Sequence, residues 1–125
     1  MNSNKTDLGL ALLRISFSAL MLTHGFGKLQ MLLNGDEFAS VLGMGSKLSL
    51  ILAVIGEFIA PILIIIGFKT RIAAIFPMIT MLVAALVIHA EDPFGKKEFP
   101  LLYFFGFLAV FLLGAGKYSI DNMKK

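Results

Sequence analysis

Four apolar segments, each close to the length of a membrane-spanning helix, alternate with short polar stretches along this chain of 125 residues. A helix needs roughly 20 predominantly apolar residues to cross a bilayer. The segments cover about residues 8–30, 48–68, 72–89 and 99–113. The pattern therefore predicts an all-α integral membrane protein, in which residues 1–125 form a single four-helix transmembrane bundle with both termini on the same side.

Polar and glycine-rich stretches end the predicted helices near residues 34–45, 69–71 and 91–97. Within the first stretch, residues 38–42 are compatible with a short interfacial helix. Pro100 suits the first turn of the fourth helix, because proline at a helix start gives up no intrahelical hydrogen bond. Each connection is too short to hold a soluble catalytic domain.

Lysine and arginine in the loops and tails favour one orientation in the membrane. The side that holds both termini carries six such residues and the other side carries four: Lys5, Lys69, Arg71, Lys117, Lys124 and Lys125 against Lys28, Lys47, Lys96 and Lys97. Acidic residues dilute the positive charge of the second group. Because cytoplasmic loops carry the excess of Lys and Arg, we expect both termini in the cytoplasm.

Composition sets limits on function. The chain is 58% hydrophobic and 15% charged, with a mean hydropathy of +0.88, whereas a soluble domain averages about 25% charged residues. The net charge of +3 lies in loops and tails and does not indicate nucleic-acid binding. The absence of cysteine excludes thiol chemistry, zinc–thiolate sites and iron–sulfur ligation within this chain. Electrons for any redox reaction would have to pass through a bound cofactor or a partner.

Arg14 and Glu57 lie inside apolar segments, where a charge at the bilayer centre costs roughly 2.5–3.5 kcal/mol on insertion scales. Helical projection places Arg14, Met21, His24 and Lys28 within about 80° on one face of the first helix. Glu57 lies between Arg14 and His24 in depth, within about 6–8 Å of each along the membrane normal. The sequence therefore predicts a buried Arg14–Glu57 pair with His24 as a third member. Such a pair either fixes helix register or binds a head group or relays protons.

Three further residues bear on this polar cluster. Lys28 is interpreted as snorkelling to the interface. Pro61 has no N–H to donate to the carbonyl of Glu57, so the second helix should kink there. His89 ends the third helix, where it is either an interfacial residue or faces His24. Two histidines are suited to axial haem ligation or to hydrogen bonding with a quinone, but the unequal depths of His24 and His89 disfavour haem.

Four short motifs, in order along the chain, resemble those of the DoxX family. They are Arg14 with THGFGKL at residues 23–29, Gly56-Glu57 with GFKTRIAA at 67–74, the set Met81, Ala84 and His89, and LGAGKYSID at 113–121. The resemblance covers nearly the whole chain. The motif positions that it carries over are Arg14, His24, Gly25, Lys28, Glu57, Arg71, His89, Tyr118 and Asp121.

This resemblance implies a four-helix protein of the bacterial inner membrane. Its relatives include the small membrane subunit of a thiosulfate:quinone oxidoreductase and proteins associated with oxidative-stress enzymes. We therefore expect a small membrane subunit or accessory of a quinone-linked or oxidative-stress redox complex, with catalysis mostly in a protein partner. A quinone would bind near Glu57, His24 and Arg14, and no metal site is expected.

Two alternatives to this function stay open. One is a small transporter or permeation protein, whose pathway would lie between the protomers of a homo-oligomer because four helices enclose little space. The other is a scaffold or assembly factor without a ligand, in which Arg14 and Glu57 only hold the helices together.

Overall fold

The structure is a computed structural model that describes residues 3–38 and 40–123. These residues form helices and connections without β-strands. The α-helices are α1 (Ser3–Asn34), α2 (Ser46–Val54), α3 (Ala60–Ile66), α4 (Thr70–Val83), α5 (Phe94–Leu113) and α6 (Ile120–Met123). A π-helical turn at Ile55–Ile59 joins α2 to α3, and a second at Ala84–Ile88 extends α4.

Three helical stretches of the described chain are long and apolar enough to cross a membrane: Asn4–Asn34, Ser46–Ile66 and Thr70–Ile88. Their exposed faces are lined with large apolar side chains, as lipid contact requires. The predicted all-α membrane fold is confirmed. Helix α5 has 20 residues, but its first five residues include the charged side chains of Lys96, Lys97 and Glu98. A fourth crossing by α5 and the side of the termini stay predictions, and Lys124 and Lys125 lie outside the described residues.

Two helices extend beyond their predicted apolar segments. Helix α1 spans Ser3–Asn34 and α5 begins at Phe94, because a helix continues through polar residues for as long as its backbone hydrogen bonds are made. The predicted position of Pro100 in the first turn of the fourth helix is therefore wrong. Pro93 immediately precedes α5, and Pro100 lies inside it.

The first loop does not contain the short helix predicted at residues 38–42. Residues 38 and 40–42 are not helical, and Leu42 has a positive φ of 51°. The loop backbone is satisfied by α2 instead, since the N–H of Phe38 donates to Ser46 Oγ (2.7 Å) and the N–H of Val41 donates to Ser49 Oγ (2.9 Å). These hydrogen bonds fold the loop back over the start of α2.

The apolar core lies where α1, α3, α4 and α5 meet. Its fully buried members are Met21, Ile64, Ala73, Ala74, Met81, Phe107 and Val110. Small residues allow the helices to approach closely, and a Cβ on Gly106 would collide with the ring of Phe17. The Phe17 ring makes edge contacts with Tyr103 and Phe107 at centroid distances of 6.0 and 6.3 Å. Side-chain packing of this kind drives helix association in lipid, where no hydrophobic effect acts between helices.

A π-helical turn accommodates Pro61 in the second crossing. Pro61 lies in the first turn of α3, and the preceding N–H of Ala60 donates to the carbonyl of Ile55, five residues earlier. A wide turn of this kind is an established way to absorb an interrupted helical ladder, and it recurs at functional sites. The kink predicted at Pro61 stays a prediction, and the structure places this wide turn immediately before the proline.

The segment after α5 folds back onto the turn between α3 and α4. The N–H of Asp121 donates to the carbonyl of Gly67 (2.8 Å). The Asp121 carboxylate accepts hydrogen bonds from the N–H groups of Lys69 (2.6 Å) and Thr70 (2.9 Å), where α4 begins. Burial of this carboxyl opposes its ionisation, but the hydrogen bonds from Thr70 and Lys69 and the charge of Arg14 hold its pKa below the ordinary value. Asp121 thus caps α4 from the other end of the sequence.

Candidate functional site

Arg14 is 1% exposed and binds main-chain carbonyls. Its Nη1 donates to the carbonyls of Ile64 (3.1 Å) and Ile65 (3.2 Å), and its Nη2 donates to the carbonyl of Tyr118 (2.6 Å). The predicted Arg14–Glu57 pair is therefore wrong. The last carbonyls of a helix lack intrahelical donors and carry its negative dipole charge, so the end of α3 attracts the guanidinium.

The position of Arg14 connects α1 to two other parts of the chain. It binds the end of α3 and the segment after α5, and it lies close enough to Asp121 for electrostatic attraction. Gly67, which ends α3 with a φ of 73°, leaves room for the guanidinium, because a Cβ there would press on Nη1. The guanidinium of Arg14 thus links α1 to the end of α3 and to the segment after α5.

Glu57 is the second deeply buried charge, with 2% of the residue exposed. It lies in the π-helical turn Ile55–Ile59, and its Oε2 forms an ion pair with the Nζ of Lys28. The prediction that Lys28 snorkels to the interface is wrong, because its ammonium turns towards the carboxylate and also lies 5.8 Å from the centroid of the Phe38 ring. A buried carboxylate without a partner is strongly destabilising, and Lys28 is the cation within reach.

Gly25 brings α1 against the turn that holds Glu57. A Cβ at Gly25 would collide with the main-chain oxygen of Glu57. Helix α1 can therefore contact this backbone directly, and Lys28, one helical turn after Gly25, reaches the Glu57 carboxylate. The same Glu57 oxygen receives no hydrogen bond from Pro61, because proline has no N–H. Gly25 therefore approaches the second crossing at a carbonyl whose helical hydrogen bond is missing.

A cavity of about 510 Å³ opens beside this ion pair, and we call it the Glu57 cavity. It is lined by Met21, His24, Lys28, Glu57, Met81, Ala84, His89, Gly95, Lys96, Phe99, Pro100 and Tyr103. Four predicted site residues, His24, Lys28, Glu57 and His89, therefore come together. Arg14 does not join them, and the motif residues Arg71, Tyr118 and Asp121 lie at the opposite end of the bundle.

Two polar residues of the Glu57 cavity were missed by the sequence reasoning. The ring of Tyr103, in α5, packs edge-on against that of His24, with a centroid distance of 5.9 Å. Lys96, near the start of α5, also lines the cavity. A signal for Tyr103 was present, since it is one of two tyrosines in the chain and lies inside an apolar segment. Lys96 was counted only among the loop lysines that indicate the orientation in the membrane.

His89 lies at the rim of the cavity, after the π-helical turn Ala84–Ile88. Its Nδ1 is 2.7 Å from Oδ2 of Asp92. The hydrogen bond with His89 holds the pKa of Asp92 below the ordinary value. Among the described residues, no group of three or more His, Asp or Glu side chains is placed to hold a metal ion.

Comparison with known proteins gives two matches. The DoxX family model matches residues 9–90, a range that contains Arg14, His24, Glu57 and His89. A protein of Escherichia coli (strain K12) named "Inner membrane protein YqjF" is 29% identical over 122 residues, which cover 94% of this chain and 92% of that protein. No solved structure matches.

Proposed function

Because this chain belongs to the DoxX family, we propose that it is a small membrane subunit or accessory of a redox complex and binds a quinone or a similar amphipathic molecule in the Glu57 cavity. It is a multi-pass protein of the bacterial inner membrane. The observation that carries the proposal is the convergence of His24, Glu57 and Tyr103 on one open cavity beside the Lys28–Glu57 ion pair.

The size and lining of the Glu57 cavity support this ligand class. Small-molecule sites measure about 300–1,000 Å³ and combine apolar walls with few polar groups, and this cavity has about 510 Å³. Ala84, Phe99 and Pro100 supply apolar surface, whereas the ion pair, the two histidines and Tyr103 supply hydrogen-bonding groups. An amphipathic head group with ring and carbonyl oxygens matches that combination.

The polar groups also match the proton chemistry of a quinone. Reduction adds electrons and protons to the carbonyl oxygens, and oxidation of the quinol removes them. His24 and the Tyr103 hydroxyl can donate hydrogen bonds to such oxygens, and Lys28 and Lys96 stabilise negative charge that develops on them. Glu57 accepts a hydrogen bond from a hydroxyl of the quinol, while its ion pair with Lys28 keeps the buried carboxylate compensated.

A protein partner supplies the electrons in this proposal. The chain contains no cysteine, so it holds no thiolate for electron transfer or for an iron–sulfur cluster. The described connections between the helices are short and add no separate redox domain. The chain would therefore bind and orient the quinone at the membrane, and an associated oxidoreductase would carry out the electron-transfer half of the reaction.

Titration of the purified protein with a short-chain ubiquinone in mild detergent tests the proposal. We expect saturable binding to the wild type. Glu57→Gln should weaken binding at least about tenfold, since hydrogen bonds to charged groups contribute roughly 1.5–3 kcal/mol. Tyr103→Phe removes one hydroxyl without disturbing the ion pair and should weaken binding by about fivefold, as expected for a neutral hydrogen bond.

Glu91→Gln is the matched control, because Glu91 is an exposed carboxylate outside the cavity lining. It should bind the ubiquinone as the wild type does. The proposal fails if the wild type shows no saturable binding, or if Glu57→Gln and Glu91→Gln behave alike. A proton or solute flux in liposomes that depends on Glu57, in a protein that binds no quinone, would replace it with the transport alternative.

A further inference from the structure

A second and larger cavity lies at the opposite end of the bundle, and we call it the Arg71 cavity. It has a volume of about 810 Å³ and is formed by the start of α1, the turn between α3 and α4, and the segment after α5. The residues that matter for its chemistry are Asp7, Lys69, Arg71, Ile72, Leu113, Lys117 and Asp121. None of them lines the Glu57 cavity.

The charges of the Arg71 cavity favour an anion. Lys69 and Arg71, from the turn between α3 and α4, and Lys117, from the segment after α5, line the cavity together with the two carboxylates of Asp7 and Asp121. The Asp121 carboxylate is engaged by the main-chain N–H groups of Lys69 and Thr70 and is also balanced by Arg14 behind it. The cations therefore exceed the carboxylates that are available to neutralise them.

Arg71 is the cation best placed to bind a ligand. Its guanidinium lies beside the backbone of Gly114, where a Cβ would be 3.2 Å from Nη2. Arg71 is exposed, and the ion pairs among the described residues join Lys28 with Glu57 and His89 with Asp92 rather than involving Arg71. A planar guanidinium binds the oxygens of phosphate in a bidentate manner.

Each of the two lysines lies close to the aromatic ring of its neighbour in the chain. Lys69 Nζ is 5.8 Å from the centroid of the Phe68 ring, and Lys117 Nζ is 5.9 Å from that of Tyr118. These contacts are within the range of cation–π attraction. They position the ammonium groups without neutralising them, so both charges remain available to an anion in the cavity.

The rim of the Arg71 cavity is apolar. Ile72 and Leu113 line it and are 61% and 56% exposed, and these apolar side chains are suited to contact with lipid. A cationic cavity with an apolar rim matches a molecule that carries a phosphate on a hydrocarbon body. We propose that the Arg71 cavity binds a phosphate group, with Arg71, Lys69 and Lys117 as its ligands, and that this group belongs to an anionic phospholipid.

Native mass spectrometry of the protein from nanodiscs tests this inference. Nanodiscs that contain equal amounts of phosphatidylglycerol and phosphatidylcholine provide both lipids in the same bilayer. We expect the wild type to retain phosphatidylglycerol preferentially. Arg71→Gln and Lys117→Gln should each reduce this retention by about fivefold, from the usual contribution of one cation near a lipid surface.

Lys47→Gln is the matched control, because Lys47 is an exposed lysine at the other end of the bundle. It should leave lipid retention unchanged. Arg71→Lys keeps the charge but loses the bidentate geometry, and an intermediate loss is expected. The melting temperature of each variant is measured in parallel, and Lys117→Gln serves as the independent test if Arg71→Gln does not fold.

A titration with inorganic phosphate distinguishes a phospholipid head group from free phosphate as the ligand of the Arg71 cavity. Phosphorus NMR of the delipidated protein should show binding of free phosphate that weakens in Arg71→Gln. If free phosphate binds in an Arg71-dependent way but the wild type retains both lipids equally, the ligand is the soluble anion and the phospholipid part of the inference is overturned. The inference is overturned if retention is equal for both lipids and phosphate does not bind.

Discussion

The carboxylate of Glu57 and the guanidinium of Arg14 are compensated by different kinds of partner. Arg14 binds carbonyls of the backbone, which cannot move away without unfolding the end of α3. Glu57 depends on the single side chain of Lys28, and it faces a cavity. A ligand that enters this cavity can therefore exchange hydrogen bonds with Glu57, whereas the surroundings of Arg14 leave no such freedom.

Double-mutant cycles on stability should separate the two residues. We expect a coupling energy of at least about 1 kcal/mol between Lys28→Met and Glu57→Gln, since removal of one member of a buried pair leaves the other charge without a partner. For Arg14→Met and Glu57→Gln the coupling should stay below about 0.5 kcal/mol, as for sites that share no contact. Reversible unfolding in detergent gives the free energies of unfolding, and the opposite order of couplings would restore the Arg14–Glu57 pair.

At the scale of the helices, the apolar pattern predicts where each helix lies but not how the helices meet. The collision that a Cβ on Gly25 would have with Glu57 depends on the distance between two helices. The contact of Asp121 with the start of α4 joins residues far apart in the sequence. The spacing of residues along the sequence contains no information about either of these contacts. For the same reason, a prediction based on depth in the membrane paired Arg14 with Glu57, although Arg14 binds the end of α3.

Gly25→Ala tests the close approach of α1 to the π-helical turn. The added methyl would collide with the Glu57 backbone, and we expect a loss of about 1–3 kcal/mol in the free energy of unfolding, as for other overpacked sites. Quinone affinity should fall with it, because Lys28 moves away from Glu57. Gly27→Ala is the control on the same helix, where the Cβ meets nothing within 4 Å.

Gly27→Ala should stabilise the protein by up to about 1 kcal/mol, since alanine is favoured over glycine inside a helix. Equal effects of the two substitutions on the free energy of unfolding would show that α1 does not contact the turn at Gly25.

At the scale of the whole molecule, the two cavities lie at opposite ends of one bundle. The Glu57 cavity lies where α1 passes the second crossing and α5 begins, and the Arg71 cavity lies where α5 ends. If α5 crosses the membrane as predicted, the two cavities open towards opposite faces of the bilayer. The excess of Lys and Arg then places the Arg71 cavity on the cytoplasmic face, beside the anionic lipid surface.

Cysteine labelling tests this topology, and the absence of native cysteine makes single-cysteine variants direct to interpret. In cells whose outer membrane has been permeabilised and whose inner membrane is intact, a maleimide that cannot cross the inner membrane should label Glu91→Cys and should not label Asn122→Cys. After lysis both should react. Labelling of Asn122→Cys in intact cells would show that α5 does not cross the membrane or that the orientation is reversed.

The central proposal for this protein is that a quinone binds in the Glu57 cavity. Photolabelling with an azidoquinone, followed by peptide mapping of the purified protein, locates that ligand most directly. We expect labels on α1 near His24 and on α5 near Tyr103, both suppressed by excess unlabelled quinone and by Glu57→Gln. Labels confined to lipid-facing residues such as Ile62 and Ile79, or unaffected by competition and by Glu57→Gln, would contradict it.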